Sequence, residues 1–248
     1  MSAVSSAPPS SELRGVFPNT RWSEVLAARR DSPESSAALE SICRAYWFPL
    51  YAFARRCGHS PPDAQDLTQE FFRQLLEKRW LDRADRAKGR LRTFLVVAFK
   101  NLMSKEWRRA LTQRRGGNSA RIEFDTALAE SRFAADPTTM TPDEAFDRQW
   151  AMTLLELTVF RLSGEFADAG KPGEFDLLKD CLLAERGAID YADVAKRLGI
   201  NEGAARVVVH RLRKRFREIY SEEIARTLDK GEDINAELRH LAAALARR

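Results

Sequence analysis

The sequence predicts an all-α protein of two small helical domains joined by a flexible linker. Three observations carry that expectation. Apolar residues recur at spacings of three and four along most of the chain after residue 36. Helix punctuation brackets the runs: Ser60-Pro61, Thr141-Pro142-Asp143-Glu144 and Asn201 as starts, and Gly58, Gly170 and Gly199 as stops. Alternating β-branched and aromatic runs, which mark strands, are nearly absent. The 248 residues are enough for one large domain or two small ones, and an apolar content of 44% is ordinary for a globular chain. The expected order is a disordered N-terminus at 1–18, a first domain at 19–111, a linker at 112–140, a second domain at 141–220 and a helical C-terminal extension at 221–248.

In the first domain, Thr20 caps an expected helix with Trp22, Val25 and Leu26 on its apolar side. Ser32-Pro33-Glu34 restarts helix, and Leu39, Ile42, Cys43, Tyr46, Trp47, Leu50, Phe53 and Ala54 follow at three and four, with Pro49 expected to kink the run. After the break at Gly58–Pro62, the stretch PDAQDLTQEFFRQLLEK is expected to bury Ala64, Leu67, Phe71, Phe72 and Leu75. Its other face shows Asp63, Asp66, Gln69, Glu70, Arg73 and Glu77. An acidic ridge gives nothing to a purely DNA-binding surface, so it suggests a protein partner. Helix solubility and compensation of the helix N-terminus are the alternative.

Residues 79–92 read as a polar loop or short helix around Trp80 and Leu81. The helix RTFLVVAFKNLMSKEWRRAL follows, with Phe94, Leu95, Ala98, Leu102 and Trp107 as its buried side. Lys100, Asn101, Ser104, Arg108 and Arg109 share the other side, a mixture that suits single-stranded DNA, where phosphates need cations and unstacked bases need flat partners. Trp107 has two readings, core residue or base platform. Residues 112–140 have Gly-Gly, scattered charge and only a weak helical pattern near Asp125–Phe133.

The second domain opens on the capping box Thr141–Glu144, with Pro142 at the first helical position. Phe146, Trp150, Leu154, Leu157, Phe160 and Leu162 continue that helix to about Phe166. Gly170-Lys171-Pro172-Gly173 breaks the chain, and Phe175, Leu178 and Leu182 mark a further helix up to Gly187. YADVAKRLGINEGAARVVVHRLRKRFR then has the layout of a helix-turn-helix. Val194, Ala195 and Leu198 form the first apolar face, Gly199 leaves the helix, Ile200 plugs the corner and Asn201 caps the second helix. Ala205, Val208, Val209 and Leu212 are the second stripe, so Glu202, Gly203, Arg206, Val207 and His210 would face a major groove. The tail repeats helical spacing at Ile224 and Leu228 and again at Leu238, Leu241 and Leu245.

Net charge is +5, but its clustering matters more. Residues 89–115 hold eight basic residues against Glu106, and residues 196–217 hold eight against Glu202, a local +7 in each. Two separated cationic stretches on a nearly balanced chain suggest two contacts with one polyanion. Cys43, Cys57 and Cys181 lack CxxC spacing and are expected to be reduced thiols of a cytoplasmic protein. No secretory signal and no apolar run of membrane-spanning length is present in the sequence. Gly-rich phosphate loops, HExxH and GxSxG are absent, and His59, His210 and His240 lie far apart, so no cofactor, metal site or catalytic role is expected.

With these segments laid out, the chain resembles a bacterial RNA polymerase sigma factor of the sigma-70 type, in the extracytoplasmic-function (ECF) group. DAQDLTQEFFRQLLEK (Asp63–Lys78) is similar to region 2.2, GRLRTFLVVAFKNLMSKEWRRA (Gly89–Ala110) to regions 2.3–2.4, and residues 142–217 to region 4. The resemblance spans roughly residues 20–220. It implies RNA polymerase core as partner, through the β′ clamp coiled coil and the β flap, with Asp63, Asp66, Leu67, Gln69, Glu70 and Arg73 on the docking helix. Promoter DNA is the other implied partner. Arg90, Arg92, Lys100, Asn101, Ser104, Trp107 and Arg108 would meet the −10 element, with the loop at about 78–90 holding flipped bases. Asn201, Glu202, Gly203, Arg206, Val207, His210, Arg211 and Lys214 would meet the −35 element, with Arg213, Lys214 and Arg217 as phosphate anchors. An anti-sigma factor or regulatory kinase is a further partner such a chain admits. Val207 and Val208 depart from the pattern, since many relatives place a hydroxyl and a further arginine there. The competing readings are a stand-alone helix-turn-helix regulator and an all-α adaptor or hydrolase built on the acidic helix.

Overall fold

Residues 33–77, 80, 90–110, 126–136, 139–185, 187–228 and 232–247 are described by a computed structural model, except the side chains of 33–38, 41, 107–110 and 126. The expected helix at Thr20, most of the loop before Arg90 and the Gly-Gly stretch after Ala110 lie outside these residues. Within them the chain is helical and has no strand. In order come α1 (Pro33–Arg56), α2 (Pro61–Glu77), α3 (Leu91–Ala110), α4 (Thr126–Ala135), α5 (Pro142–Asp168), α6 (Pro172–Leu178), a 3-10 turn (Lys179–Cys181), α7 (Tyr191–Leu198), α8 (Glu202–Thr227) and α9 (Ile234–Ala246).

The longest helix, α5, starts where the sequence says it must. Thr141 Oγ1 accepts from the Glu144 backbone N–H at 3.3 Å, and the Glu144 carboxylate accepts from the Thr141 N–H at 2.9 Å. Two of the orphan donors at the helix start are thereby satisfied. Along α5 the buried residues Phe146, Trp150, Leu154 and Leu157 face one way, into a core shared with α1, α2 and α3. Further along, Leu162 enters a second core with Phe175, Leu178, Val194, Ala205, Val209, Leu212 and Ile219. Helix α8 also serves both, since Ile219 lies in the second core and Ile224 in the first.

The first core is aromatic. Tyr46, Trp47, Tyr51, Phe71, Phe72, Phe99 and Trp150 are each almost completely buried. Removing each such side chain from water is worth roughly 1.5–3 kcal/mol, so this cluster supplies a large part of the apolar stabilisation of its half of the molecule. The periodicity assigned α1 correctly, with Pro49 inside the helix. On α2, Leu67 is only half-buried, whereas Thr68 and Gln74 are buried. Thr68 affords burial because its hydroxyl donates to the Ala64 carbonyl at 2.7 Å. On α3 the buried face is Leu91, Leu95, Val96, Phe99 and Leu102. Phe94 and Ala98, expected inside, are half-buried.

The segment read as a linker contains α4, at the weak helical pattern. Ala129 is buried in the first core, and Glu130 accepts from Arg55 Nε at 2.8 Å and from the Tyr51 hydroxyl. Phe133 lies under the guanidinium groups of Arg55 and Arg56, 4.7 and 4.5 Å from its ring centre. The C-terminal extension is also docked. Leu241 is fully buried in the first core, with Leu238 and Leu245 against it. Arg148 Nη1 donates to the carbonyls of Leu245 (2.6 Å), Arg247 (3.2 Å) and Ala244 (3.3 Å), which closes the C-terminal end of α9 with a cation.

Candidate functional site

Three surfaces hold the residues singled out in the sequence. The first is the outer face of α2. Ser60 starts this helix: its hydroxyl donates to Asp63 Oδ2 at 2.6 Å and accepts from the Asp63 N–H at 3.3 Å. Asp63, Asp66 and Glu77 are exposed, and Leu67, Gln69, Glu70 and Arg73 are half-buried. Arg73 binds Glu70 at 2.6 Å and also Glu77, so the single cation on this face is held between two carboxylates. Phe71, Phe72 and Leu75 point the opposite way, into the core. The face is therefore acidic, ordered and open.

The second surface is α3 with the segment leading into it. Thr93, Val97, Lys100, Asn101, Ser104 and Lys105 are exposed along one side. Beside them a groove of about 560 Å³ is lined by Gln74, Trp80, Phe94, Ala98, Asn101, Leu102 and Lys105. Half-buried Phe94 and Trp80 both line this groove, together with the Asn101 amide and the Lys105 ammonium. Trp80 also packs edge-on against Phe71, with ring centres 6.0 Å apart. Lys105 is one of the eight basic residues of 89–115 and, like Gln74, has no site role assigned from the sequence. Four-residue spacing from Asn101 was the available signal for Lys105. Ser104 turns its hydroxyl back to the Lys100 carbonyl at 2.9 Å. The side chains of Trp107 and Arg108 lie outside the described residues.

The cations of this surface have acidic neighbours from far along the chain. Arg90 Nε lies 2.8 Å from Glu232, and its Nη1 binds Glu237. Arg92 Nη1 lies 2.6 Å from Glu237 and 3.8 Å from Asp147. Lys100 Nζ lies 2.8 Å from Asp143 and 5.2 Å from the centre of the Phe53 ring. Burial works against the Arg90 charge, yet the hydrogen bond it donates to Glu232 and the charge of Glu237 raise its pKa above the ordinary value.

The third surface is the helical pair α7–α8. Asp190 caps α7, accepting from the N–H groups of Ala192 and Asp193 at 3.0 Å. Gly199 ends it with φ +67°, a conformation that costs a side-chain-bearing residue roughly 1–2 kcal/mol. Asn201 caps α8 by accepting from the Ala204 N–H at 2.8 Å. That bond engages the Asn201 side-chain oxygen, and a Cβ on Gly203 would come within 3.3 Å of it. Glu202, Gly203, Arg206, Val207, His210, Arg211 and Lys214 are all exposed, in the register expected. Arg206 lies over the Tyr191 ring at 4.3 Å and 3.6 Å from Glu202. Lys214 lies 3.9 Å from Glu218.

Two expectations for this pair are corrected. Ile200 does not plug the corner: its side chain is 36% exposed, and what closes the turn is backbone bonding, including Ile200 N–H to the Ala195 carbonyl at 3.0 Å. Arg213 is not a phosphate anchor on the outer face. It donates to the carbonyls of Cys181 at 2.7 Å and Ala184 at 2.5 Å, tying the 3-10 turn to α8. Among the described residues no group of three metal-ligating side chains comes together, and no helix is long and apolar enough to cross a membrane.

Residues 44–113 match the family described as Sigma-70 region 2. The match takes in most of α1 together with α2 and α3, and so contains the acidic face and the grooved cationic one. No curated protein and no solved structure shows a significant match to the chain.

Proposed function

We propose, from a chain that carries a sigma-70 region 2 at residues 44–113, that this protein is an initiation subunit of a bacterial RNA polymerase, an ECF-type sigma factor. The observation that carries the reading is the acidic outer face of α2, open to solvent inside the matched stretch. A folded helix that keeps Asp63, Asp66, Glu70 and Glu77 on one side of an aromatic core suits a basic protein partner. In a sigma factor that partner is the β′ clamp coiled coil of the polymerase core.

The rest follows as physical consequence. The α3 surface offers exposed cation, amide and aromatic groups around one groove, the combination that holds unstacked bases and their phosphates. Here it would receive the −10 strand and so favour the melted promoter. The α7–α8 pair is a helix-turn-helix whose outer residues, from Asn201 to Lys214, suit the major groove of the −35 element, with the β flap as its support. A bidentate arginine on guanine contributes roughly 1–3 kcal/mol of discrimination, and Arg206 and Arg211 are the exposed arginines in position for it. Val207, exposed and apolar, fits a thymine methyl. The protein performs no covalent step and acts in the cytoplasm; it lends sequence selection to an enzyme, and two weak DNA contacts held on one polymerase reinforce each other through effective concentration.

The test reverses the ridge. Asp66→Lys with Glu70→Lys is expected to weaken binding to purified polymerase core about a hundredfold, because like charges set opposite one another cost several kcal/mol. Circular dichroism of the free chain is recorded alongside, because Glu70 also holds Arg73 and Gln74. Exposed Asp66→Lys alone should leave the fold unchanged and is expected to weaken core binding in the same direction. Undiminished core binding would remove the docking assignment.

A further inference from the structure

Three of the cations expected to meet DNA at α3 and the segment leading into it, Arg90, Arg92 and Lys100, are already matched in this fold by carboxylates from the C-terminal half. Glu237 takes Arg90 and Arg92, Glu232 takes Arg90, and Asp143 takes Lys100. These pairs join residues far apart in sequence, so they are products of the fold and not helix-surface decoration at i,i+4. The Glu237 side chain is 2% exposed. A carboxylate so deeply buried is costly unless strong partners meet it, and two guanidinium groups do. The helix that delivers it is anchored independently, by Leu241 in the core, by Arg148 on its last carbonyls, and by His240 at 2.8 Å from Asp147. Glu232, Glu237 and Asp143 all lie outside the matched region 2.

We infer that α9 and the first turn of α5 form an anionic latch on the −10 surface, occupying in the free chain the places that DNA phosphates would take. The inference rests on the proposed role of α3 in DNA binding. Its physical content is competition: a phosphate reaching Arg90, Arg92 or Lys100 must displace a carboxylate already there. The free chain therefore holds single-stranded DNA more weakly than its cations alone would, and full promoter capture requires α9 to leave Arg90 and Arg92. The latch answers a hazard of a cationic protein, which is non-specific binding to every nucleic acid it meets.

The experiment measures binding of a fluorescent A/T-rich single-stranded oligonucleotide by the free chain at about 0.1 M salt. Glu232→Gln with Asp143→Asn, both on accessible side chains, is expected to tighten binding about tenfold, roughly the effect of adding one or two phosphate contacts at that salt. Adding Glu237→Gln should tighten it further. Because Glu237 is buried and that variant risks misfolding, the unmutated chain supplies a second reading: saturating oligonucleotide should raise hydrogen exchange of amides in 234–246 while leaving α1 protected. Unchanged affinity in the double variant together with unchanged protection of α9 overturns the latch. Promoter-dependent transcription by polymerase loaded with the wild-type chain is run alongside. If it succeeds while the latch arms fail, the latch alone is wrong; if it fails, the sigma reading falls and the latch with it.

Discussion

Tyr46 of α1 stacks on Trp150 of α5, with ring centres 4.5 Å apart and planes 10° from parallel. Both side chains are almost wholly buried, and the pair welds the start of the second expected domain to the middle of the first. Trp150→Ala should therefore cost roughly 3–5 kcal/mol, the usual toll of removing a large buried aromatic. Urea unfolding followed by fluorescence and by circular dichroism measures it. A loss below about 1 kcal/mol would mean that the two halves are not joined there.

Acid should loosen α4. Burial pushes the Glu130 carboxyl upward, but its hydrogen bonds from Arg55 and Tyr51 outweigh this and hold it below the ordinary 4.5. A depressed carboxyl stabilises the fold fully above its unfolded value, and the contribution is lost as pH falls through the lower folded one. Stability should thus decline below about pH 4.5, and Glu130→Gln should flatten that part of the pH profile. Glu165, held down first by its hydrogen bond from Arg215, acts in the same direction and window. A variant with the same acid slope as the parent would contradict the assignment.

Arg206 and Arg213 lie on one helix and should behave oppositely. Arg213→Ala removes the donor for the Cys181 and Ala184 carbonyls, so it should lower the melting temperature, at a cost of about 1–3 kcal/mol. Arg206→Ala should leave melting nearly unchanged, its side chain being 60% exposed. It should instead relax promoter choice at the −35 element by about tenfold in a reconstituted transcription assay. Unchanged promoter choice would remove Arg206 from the reading set.

Gly199→Ala should destabilise the α7–α8 pair by about 1 kcal/mol, because its φ of +67° is strained for any residue with a Cβ. Asn201→Ala should cost a similar ~1 kcal/mol through loss of the cap on Ala204. Thermal melts monitored by circular dichroism report both, and a neutral Gly199→Ala would show that the turn takes another conformation in solution.

Much of this was legible because helix signals are local. The Thr141–Glu144 box, the Gly199 turn and the Asn201 cap each depend on residues within three or four positions, and each forms where the spacing puts it. The acidic face of α2 was legible for the same reason. Partners across long separations were not. Nothing near Arg90 in sequence announces Glu232 or Glu237, and nothing near Arg213 announces the carbonyls of the 3-10 turn. The rotation of α3 was missed because its apolar residues, from Leu91 to Phe99, cover more than one face. The position of α2 and Trp80 then decides that Phe99 goes inside and Phe94 lines the groove. The C-terminal extension gave its period but not its destination.

The central claim is that this chain gives a polymerase its starting points. Purified core polymerase, with and without the protein, is incubated with bacterial genomic DNA, and the 5′ ends of the transcripts are sequenced. The account predicts a discrete set of start sites, present only when the protein is added, that share two upstream sequence elements. Start sites identical to those of core alone, or tight binding of the protein to the same duplexes without any polymerase, would contradict it.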